Sequence, residues 1–297
     1  MTLPRSSLVS IGLPVRNGAA RIERVVESVL AQDHEPLQFV ISDNASTDGT
    51  EEFCRELARA DDRVIYRRHP QNIGLLNNFV STLRFAEGEF FRWIGDDDAL
   101  EPRCVSQSLA VFAEDPRLLL VTTQVSYTGE DGVAQTTPYE GRALGSDDRV
   151  ERFSAMLQLL TESHLLIDPL YGLFRRGRLA TIPRRNMLRE DEVFATKLAL
   201  AGPWGHVPEV LAHRHWKSLP PSVLARYLDV PAWQALFATT LQCREMLRWV
   251  ADPTLTPELT DDERRRVRVA VYAMWLRRHW RAGVRRARKL VPLMTPR

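Results

Sequence analysis

The fold of this chain is decided by the stretch Phe90-Phe91-Arg92-Trp93-Ile94-Gly95-Asp96-Asp97-Asp98. An apolar run ends in three adjacent carboxylates, which repel one another and are rarely placed together at a strand end without a use. Hard divalent cations take oxygen ligands, and Mg²⁺ sites commonly use one or two carboxylates while substrate phosphates complete the shell. The triplet therefore predicts a metal-assisted ligand site at the end of a strand. A solvated acidic turn is the alternative.

The composition is that of a globular protein. The chain has 297 residues, of which 44% are hydrophobic, enough for one large domain or two smaller units. Its three cysteines, Cys54, Cys104 and Cys243, show neither metal-ligand spacing nor a disulfide framework, so a reducing compartment is expected. Residues 1–7 lack a signal-peptide core, and no apolar run approaches the ~20 residues of a membrane span. We therefore expect a cytoplasmic protein, either soluble or peripheral at the inner membrane face.

Strand and helix patterns alternate along residues 8–125. Short apolar runs bounded by turn residues predict strands at 8–13, 37–42, 64–66, 90–94 and 118–125. Apolar residues at helical spacing predict helices at 22–30, 50–60, 75–86 and 105–113. Strands separated by crossover helices indicate an α/β fold with a largely parallel sheet and helices on both faces.

Polar segments follow three of these strands, and parallel strands would bring them to one rim of the sheet. The segments are 14–17, 43–49 and 95–98. Ligands of open α/β sheets bind at the carboxyl ends of the strands. A nucleotide fits such a rim, because an acid after the second strand can accept from a base or sugar and the triplet can hold a metal on the diphosphate. The GxGxxG fingerprint and the GxxxxGK[ST] phosphate loop are both absent from the sequence.

Five segments in register carry a family resemblance. They are the opening strand with its Pro-x-x-Asn turn at 10–17, the helix end at 28–32, the loop at 42–50, Asn72-Ile73-Gly74, and 95–98 with Pro102 behind it. Together they resemble the nucleotide-binding half of a family 2 glycosyltransferase with the GT-A fold. In the second half, Arg189-Glu190-Asp191-Glu192 is similar to the Glu-Asp motif of that family, and His213-Arg214-His215 is similar to its Arg-x-His stretch.

The resemblance implies a fold and an activity. The fold is a Rossmann-like, mostly parallel sheet flanked by helices, with a C-terminal helical extension. The activity is inverting transfer of a sugar from a nucleoside diphosphate sugar, with UDP the expected nucleotide, to an acceptor hydroxyl in polysaccharide, glycan or glycolipid assembly. Residues 1–104 would form the nucleotide-sugar half, 105–219 the acceptor and catalytic half, and 220–297 a C-terminal helical region.

The resemblance also implies which residues contact the donor. Asp43 would accept a hydrogen bond from the nucleobase, while Pro14 and Asn17 would frame the base with backbone contacts. The residue after Asp43 is Asn44, where many relatives carry a second acid. The complete expected set of donor-binding residues is Pro14, Val15, Asn17, Asp43, Asn44, Asn72, Asp96 and Asp97.

A divalent cation, Mn²⁺ or Mg²⁺, is the implied cofactor, with Asp98, Asp96 and His215 as its ligands. The cation would act as a Lewis acid on the charge of the departing nucleoside diphosphate. By its match to the Glu-Asp motif, Asp191 is the general base that takes the proton of the acceptor hydroxyl. Taken without the resemblance, Asp191 also suits the charged first turn of a helix, and His213 rivals His215.

The charge of the chain is concentrated near the C-terminus. Residues 264–289 contain eleven arginines or lysines and no acid, although the net charge is only +2. A long helix is predicted over 261–290, with an apolar stripe and a basic face. The stripe consists of Val267, Val271, Met274 and Trp275, and the basic face of Arg277, Arg281, Arg285 and Arg288.

Two interpretations of this helix stay open. It could lie on an anionic membrane, which would suit a lipid-linked acceptor. It could instead pack on the catalytic domain or in a homo-oligomer. No recognised nucleic-acid-binding module accompanies the basic run, so no nucleic-acid partner is expected.

Two other classes of function also stay open. One is a non-catalytic scaffold that binds a nucleotide sugar, which the presence of both the acidic triplet and Asp191 argues against. The other is a nucleotidyltransferase on a similar sheet. Those enzymes usually carry a glycine-rich loop with Arg or Lys directly after the first strand, whereas this chain has Pro14-Val15-Arg16-Asn17-Gly18.

Overall fold

The first half of the chain alternates strand and helix as expected. A computed structural model describes residues 7–139, 142–162, 168–216 and 219–290, with the backbone alone for residues 142 and 281–290. The elements of this half are β1 (Val9–Val15), α1 (Ile22–Leu30), β2 (Leu37–Asp43), α2 (Thr50–Ala60), β3 (Val64–Arg68), α3 (Leu75–Phe85) and β4 (Phe90–Trp93). Every strand and helix predicted for this half is present.

The second half begins with the predicted helix and strand and then becomes less regular. Its sheet-forming part contains β5 (Ala99–Leu100), α4 (Cys104–Glu114), β6 (Leu120–Thr128), β7 (Ala134–Gln135), α5 (Arg149–Glu162), β8 (Leu173–Arg175), α6 (Arg176–Leu179), α7 (Glu190–Ala201) and β9 (Trp204–His215). Short 3-10 helices lie at Arg142–Gly145 and Pro169–Tyr171. The C-terminal helices are α8 (Pro221–Tyr227), α9 (Gln234–Ala251) and α10 (Asp261–Leu290).

Within the described residues, one sheet runs through both halves. Its strand order is β3-β2-β1-β4-β8-β6-β9-β5, with β7 paired to β6. The first four strands are mutually parallel, and β6 pairs with β9 in parallel. The short strand β8 joins the halves, because it runs antiparallel to both β4 and β6. The predicted mostly parallel sheet flanked by helices is confirmed.

The registers place three strand ends on one rim. Val15 at the end of β1 lies opposite Asp43 at the end of β2, and Gly12 of β1 lies opposite Trp93 at the end of β4. Parallel strands end on the same side of a sheet, so the polar segments after them converge as predicted.

A hydrophobic cluster covers each face of the sheet, and the side chains of β4 contribute to both clusters. Phe90 belongs to one core cluster, whereas Phe91 and Trp93 belong to the cluster on the other side, as the two-residue period of a strand requires. The Trp93 ring lies 4.9 Å from the Phe91 ring and 5.8 Å from the Phe174 ring, centroid to centroid. Its indole N–H also donates to the carbonyl of Phe79 at 3.0 Å. This packing fixes the strand end from which the acidic triplet projects.

The long C-terminal helix has the predicted bounds but directs its apolar stripe inward. Val267, Val271 and Met274 are fully buried in a third cluster with residues of α5, α7 and α9. The stripe therefore packs on the rest of the protein, as the second interpretation has it, so a membrane contact of α10 would have to use another face of the helix. The side chains of Arg281, Arg285 and Arg288, which the sequence placed on a basic face, lie outside the described part.

The opposite face of α10 is exposed to solvent. It presents large apolar side chains at Val269, Tyr272, Leu276 and Trp280, of which Trp280 is 76% exposed. Among the described helices, none combines the length and the apolar character that crossing a bilayer requires.

Candidate active site

A cleft of about 960 Å³ opens at the rim where β1, β2 and β4 end. The turn after β1, the loop after β2, the loop before α3 and the acidic triplet all contribute to its walls. Seven of the eight expected donor-binding residues line this cleft, which we name the donor cleft after that expectation: Pro14, Val15, Asn17, Asn44, Asn72, Asp96 and Asp97.

The turn after β1 is held by Asn17. Its φ of 53° lies in the left-handed region, which asparagine tolerates better than most residues. The Asn17 N–H donates to Ser46 Oγ at 2.9 Å, and Asn17 Oδ1 accepts from the Thr47 N–H at 2.9 Å. Asn17 therefore joins the first two strand ends and shapes the floor of the cleft.

The carboxylate of Asp43 lies beneath the cleft instead of in it. Asp43 is fully buried. Its Oδ1 accepts from the N–H and the hydroxyl of Ser46 at 2.9 and 2.5 Å, and its Oδ2 accepts from the Tyr66 hydroxyl at 2.7 Å. In this structure the Asp43 side chain is engaged within the loop that presents Asn44, and its expected contact with a nucleobase stays a prediction.

Asn44 connects the loop after β2 to the loop before α3. Its side chain is nearly buried, donates from Nδ2 to Asn72 Oδ1 at 2.7 Å and accepts at Oδ1 from the Ile73 N–H at 2.8 Å. Gly74, with a φ of 86°, completes the turn into α3, a conformation that favours glycine. These contacts form one wall of the donor cleft.

The three carboxylates of the triplet point to different partners. Asp96 forms an ion pair with Arg21, just before α1. Asp98 is almost completely buried and accepts from the Gly95 N–H at 2.9 Å and from Arg214 Nε at 3.1 Å. Asp97 lines the cleft, and burial together with its two acidic neighbours raises the pKa of Asp97. The repulsion within the triplet is thus relieved by two arginines.

Arg214, on β9, is the central cation of the site. Besides Asp98 it pairs with Asp168, and its guanidinium carbon lies 3.5 Å from the centroid of the Tyr171 ring. Burial lowers the pKa of Arg214, but the carboxylates of Asp98 and Asp168 outweigh burial and hold that pKa well above its ordinary value.

The importance of Arg214 was missed in the sequence. The stretch His213-Arg214-His215 marked the region, but the acidic partners of Arg214 lie 46 and 116 residues away along the chain. No local spacing could have paired them. Asp168 was likewise not predicted as a site residue.

The two candidate histidines behave differently. His215 Nδ1 lies 2.8 Å from the backbone oxygen of Asp97, beside the triplet. His213 Nε2 instead lies 2.7 Å from Glu101 Oε1. Of the two, His215 is the one that the structure brings to the acidic triplet.

A second cavity of about 370 Å³ adjoins the donor cleft. Tyr171 and Arg214 line both cavities, and Asp191 and His215 line the second one. Its remaining wall is largely apolar and includes Met156, Leu159, Leu160, Leu170 and Ala195.

Asp191 is the middle one of three acids in the first turn of α7, and its neighbours are neutralised by arginines. Arg184 binds Glu190 through two hydrogen bonds of 2.7 and 2.5 Å. Arg189 Nη1 lies 2.5 Å from Glu192 Oε1. Within the described residues Asp191 forms no ion pair, and it faces the second cavity.

The environment of Asp191 favours its neutral form. Asp191 is exposed at the mouth of the cavity. Desolvation by the surrounding protein atoms, followed by the charge of Glu192, raises the pKa of Asp191 to about 6. Glu190 and Asp168 act in the same direction. A carboxylate of this pKa can accept a proton near neutral pH and be regenerated there.

The residues at the rim fit a divalent cation in their chemistry. Carboxylate oxygens of Asp96 and Asp97 line the donor cleft, and His215 lies beside them. No three metal-ligating side chains converge among the described residues. Mg²⁺ is nonetheless typically held by one or two carboxylates and completed by substrate phosphates and water.

Comparison with known proteins gives the assignment of the chain. The model of glycosyl transferase family 2 matches residues 10–176, more than half of the sequence. The chain belongs to glycosyl transferase family 2. The matched segment of this family 2 chain includes the turn after β1, the acidic triplet and β6, and it ends at the start of α6.

Individual relatives agree on the family and the fold. Chondroitin synthase of Pasteurella multocida is 34% identical over 128 residues, which is 43% of this chain and 13% of the synthase. S. aureus TarS has a similar structure, with a TM-score of 0.62 and 16% identity over 92% of this chain and 43% of TarS. A shorter piece of TarS has been solved with UDP-GlcNAc.

A third similar protein is mannosyltransferase PcManGT from Pyrobaculum calidifontis, solved with GDP-Man and Mn²⁺. Its TM-score is 0.51 with 17% identity, over 93% of this chain and 88% of that protein. These structural likenesses establish the GT-A fold. The family 2 chain spans less than half the length of the synthase and of TarS.

Proposed function

We propose that this family 2 chain is an inverting glycosyltransferase that uses a nucleoside diphosphate sugar. The observation that carries the proposal is the junction of two cavities at Tyr171 and Arg214. One cavity is framed by the strand ends and the acidic triplet, and the other contains Asp191. A donor in the first cavity, with its diphosphate toward the triplet, would direct its sugar toward the second.

The donor cleft suits a nucleotide. Its walls offer backbone groups of the turn after β1, the amides of Asn44 and Asn72, and two carboxylates. TarS has been solved with a UDP-sugar and PcManGT with a GDP-sugar. We propose UDP as the nucleotide of this chain, with GDP as the competitor in the test.

Asp191 would act as the general base. It would take the proton of the acceptor hydroxyl as the oxygen attacks the anomeric carbon, while the bond from that carbon to the diphosphate breaks. A single displacement of this kind inverts the anomeric configuration. A positioned base typically contributes about 10²–10⁴-fold to the rate.

The leaving diphosphate gains negative charge, and Arg214 lies where the two cavities meet to stabilise it. A bound Mn²⁺ or Mg²⁺ would add Lewis-acid stabilisation of the same charge. Asp96, Asp97 and His215 would hold the cation. Asp98, the ligand expected first, would reach it only by sharing oxygens that Arg214 binds here.

The test combines binding and transfer. Thermal unfolding is measured with UDP or GDP, each with and without Mn²⁺, because a ligand at 100 times its Kd adds about 2.7 kcal/mol of stability. Transfer from UDP- and GDP-sugars is then compared for Asp191→Asn and for Asp62→Asn, an exposed acid that serves as control. Transfer should collapse only in Asp191→Asn, while nucleotide binding persists.

The outcome also separates the other classes of function. A scaffold would bind nucleotide without transferring sugar. A nucleotidyltransferase would release pyrophosphate from a nucleoside triphosphate. Near-normal transfer by Asp191→Asn would show that Asp191 is not the general base.

We also propose a peripheral membrane contact, through the exposed face of α10 and not through the stripe predicted from sequence. That face carries Val269, Tyr272, Leu276 and Trp280, and Arg265 and Arg268 beside them are exposed. Apolar and aromatic side chains flanked by arginines suit an anionic lipid surface. Such a contact would bring the site to a lipid-linked acceptor.

Vesicle binding tests this contact. Wild-type protein should sediment with vesicles containing phosphatidylglycerol and not with pure phosphatidylcholine, and Leu276→Ser/Trp280→Ser should abolish the effect. Equal binding by the double variant would exclude this face. Loss of self-association in the variant, without any lipid binding by the wild type, would assign the face to a homo-oligomer.

A further inference from the structure

The C-terminal helix α10 reaches the edge of the proposed catalytic cavity through Arg278. Its Nη2 donates to Glu192 Oε2 at 2.7 Å and to the Leu160 carbonyl at 2.9 Å. Its Nη1 donates to Gln242 Oε1 at 2.8 Å. One guanidinium thus connects α5, α7, α9 and α10.

The buried side-chain amide of Gln242 adds a further hydrogen bond to Glu192. Gln242 is completely buried, and its Nε2 donates to Glu192 Oε2 at 2.9 Å. The other oxygen of Glu192 is bound by Arg189. Glu192 is therefore held by three donors that come from three segments, and the Arg278 side chain is only 14% exposed.

This arrangement lies one residue from Asp191. Glu192 and Leu160 line the second cavity together with Asp191. The first turn of α7 has no side-chain cap at its N-terminus, where Arg189 adopts a φ of 61°. Because a helix end without capping is weakly held, the orientation of this turn depends on the side chains that bind its acids.

The three acids of this turn are used differently. Glu190 is bound by Arg184, and Glu192 by Arg189 and Arg278. Asp191 is left facing the cavity. Without Arg278, the carboxylate of Glu192 would lose its partner from α10 and could turn toward the cavity beside Asp191.

We propose that Arg278 is a positioning residue for Asp191, so that the C-terminal helices complete the active site instead of merely extending the chain. Arg278 fixes Glu192, and Glu192 fixes the first turn of α7 from which Asp191 projects. The inference rests on the proposed function, since Asp191 is the base in that proposal.

The test compares Arg278→Met with Arg278→Lys and with Arg244→Met. Arg244 is an exposed arginine on α9, two residues from Gln242, and serves as the matched control. Small errors in placing a catalytic group can cost as much as ~100-fold in rate, so kcat of Arg278→Met should fall between about tenfold and a hundredfold. The Kd for UDP should stay within about twofold, because Arg278 lies outside the donor cleft.

The two other variants sharpen this result. Arg278→Lys keeps the charge but loses the planar fork, so it should restore part of kcat. In a double-mutant cycle, Glu192→Gln and Arg278→Met should be strongly non-additive, because each removes the same contact. An unchanged kcat in Arg278→Met overturns the proposal. Parallel loss of kcat, UDP binding and melting temperature also overturns it, since that pattern marks a general folding defect.

A second readout does not depend on transfer. Hydrogen exchange of the backbone amides at residues 190–193 should accelerate in Arg278→Met and stay at the wild-type rate in Arg244→Met. If wild-type protein transfers no sugar from any donor, the proposed function fails, and exchange alone decides the role of Arg278. Unchanged exchange at 190–193 would then reject it.

Discussion

Arg214 Nε lies 3.1 Å from Asp98 Oδ2, so the last carboxylate of the acidic triplet is paired with an arginine of β9, the strand that pairs with β5 directly after the triplet. The same guanidinium pairs with Asp168 and lies against Tyr171. This guanidinium lies where the two cavities meet, since Arg214 lines both of them. The triplet is part of an arginine-carboxylate network and not a bare cluster of acids.

Replacing Arg214 should destabilise the protein. Arg214→Met leaves Asp98 and Asp168 without their common partner, and breaking a buried pair typically costs about 3–5 kcal/mol. Urea unfolding measures the loss. The control is Arg103→Met, which removes an exposed pair with Glu209 and should cost about 0–1 kcal/mol. Equal losses in the two variants would show that the Arg214 network contributes no more than a surface pair.

The rate of transfer should depend on the ionisation of Asp191. A general base must be deprotonated, and the pKa of Asp191 is raised to about 6 by burial and by Glu192. We expect kcat/KM to rise about tenfold per pH unit below 6 and to level off above it. Glu192→Gln removes a charge that raises this pKa, so its profile should move to lower pH. A profile that does not respond to Glu192→Gln would contradict the prediction.

The same shift has a consequence for stability. The pKa of Asp191 in the folded state, about 6, lies above its ordinary value of 3.8. The contribution of Asp191 to stability is therefore fully present below pH 3.8 and is lost as the pH rises through 6. Asp191→Asn should raise the melting temperature at pH 8 and leave it nearly unchanged at pH 3.5. Equal changes in melting temperature at pH 8 and at pH 3.5 would contradict the predicted direction of this pH dependence.

The pair of Arg184 and Glu190 should be one of the strongest anchors of α7. The two side chains are 7% and 9% exposed, and the guanidinium lies 4.6 Å from the centroid of the Phe194 ring. Glu190→Gln should cost about 3–5 kcal/mol, because it leaves the arginine buried without its countercharge. Chemical denaturation measures the loss.

A double variant provides the control for this pair. Arg184→Met/Glu190→Leu removes both charges together and should recover much of the loss, since apolar replacements of buried pairs are often neutral. If the double variant is less stable than Glu190→Gln, the contribution of the pair to stability comes from the shape of the two side chains and not from charge compensation.

Local sequence patterns determined the elements and the rim. The helices 50–60 and 261–290 were predicted with the bounds that the structure has, because helical periodicity runs through them and turn residues precede them. The order of strands and crossover helices placed three strand ends on one side of the sheet. Seven residues that line the cleft at this rim could therefore be named from sequence and family resemblance.

The sequence by itself thus determined the fold class, the family and the neighbourhood of the site. Only the tertiary structure decided that Asp43 accepts hydrogen bonds from Ser46 and Tyr66, that Arg214 pairs with Asp98, and that the apolar stripe of α10 faces inward. The physical reason is the range of the interactions. Periodicity and turn chemistry act between near neighbours in the chain, whereas the partner of a buried charge or of an apolar face is chosen by packing among segments far apart in sequence.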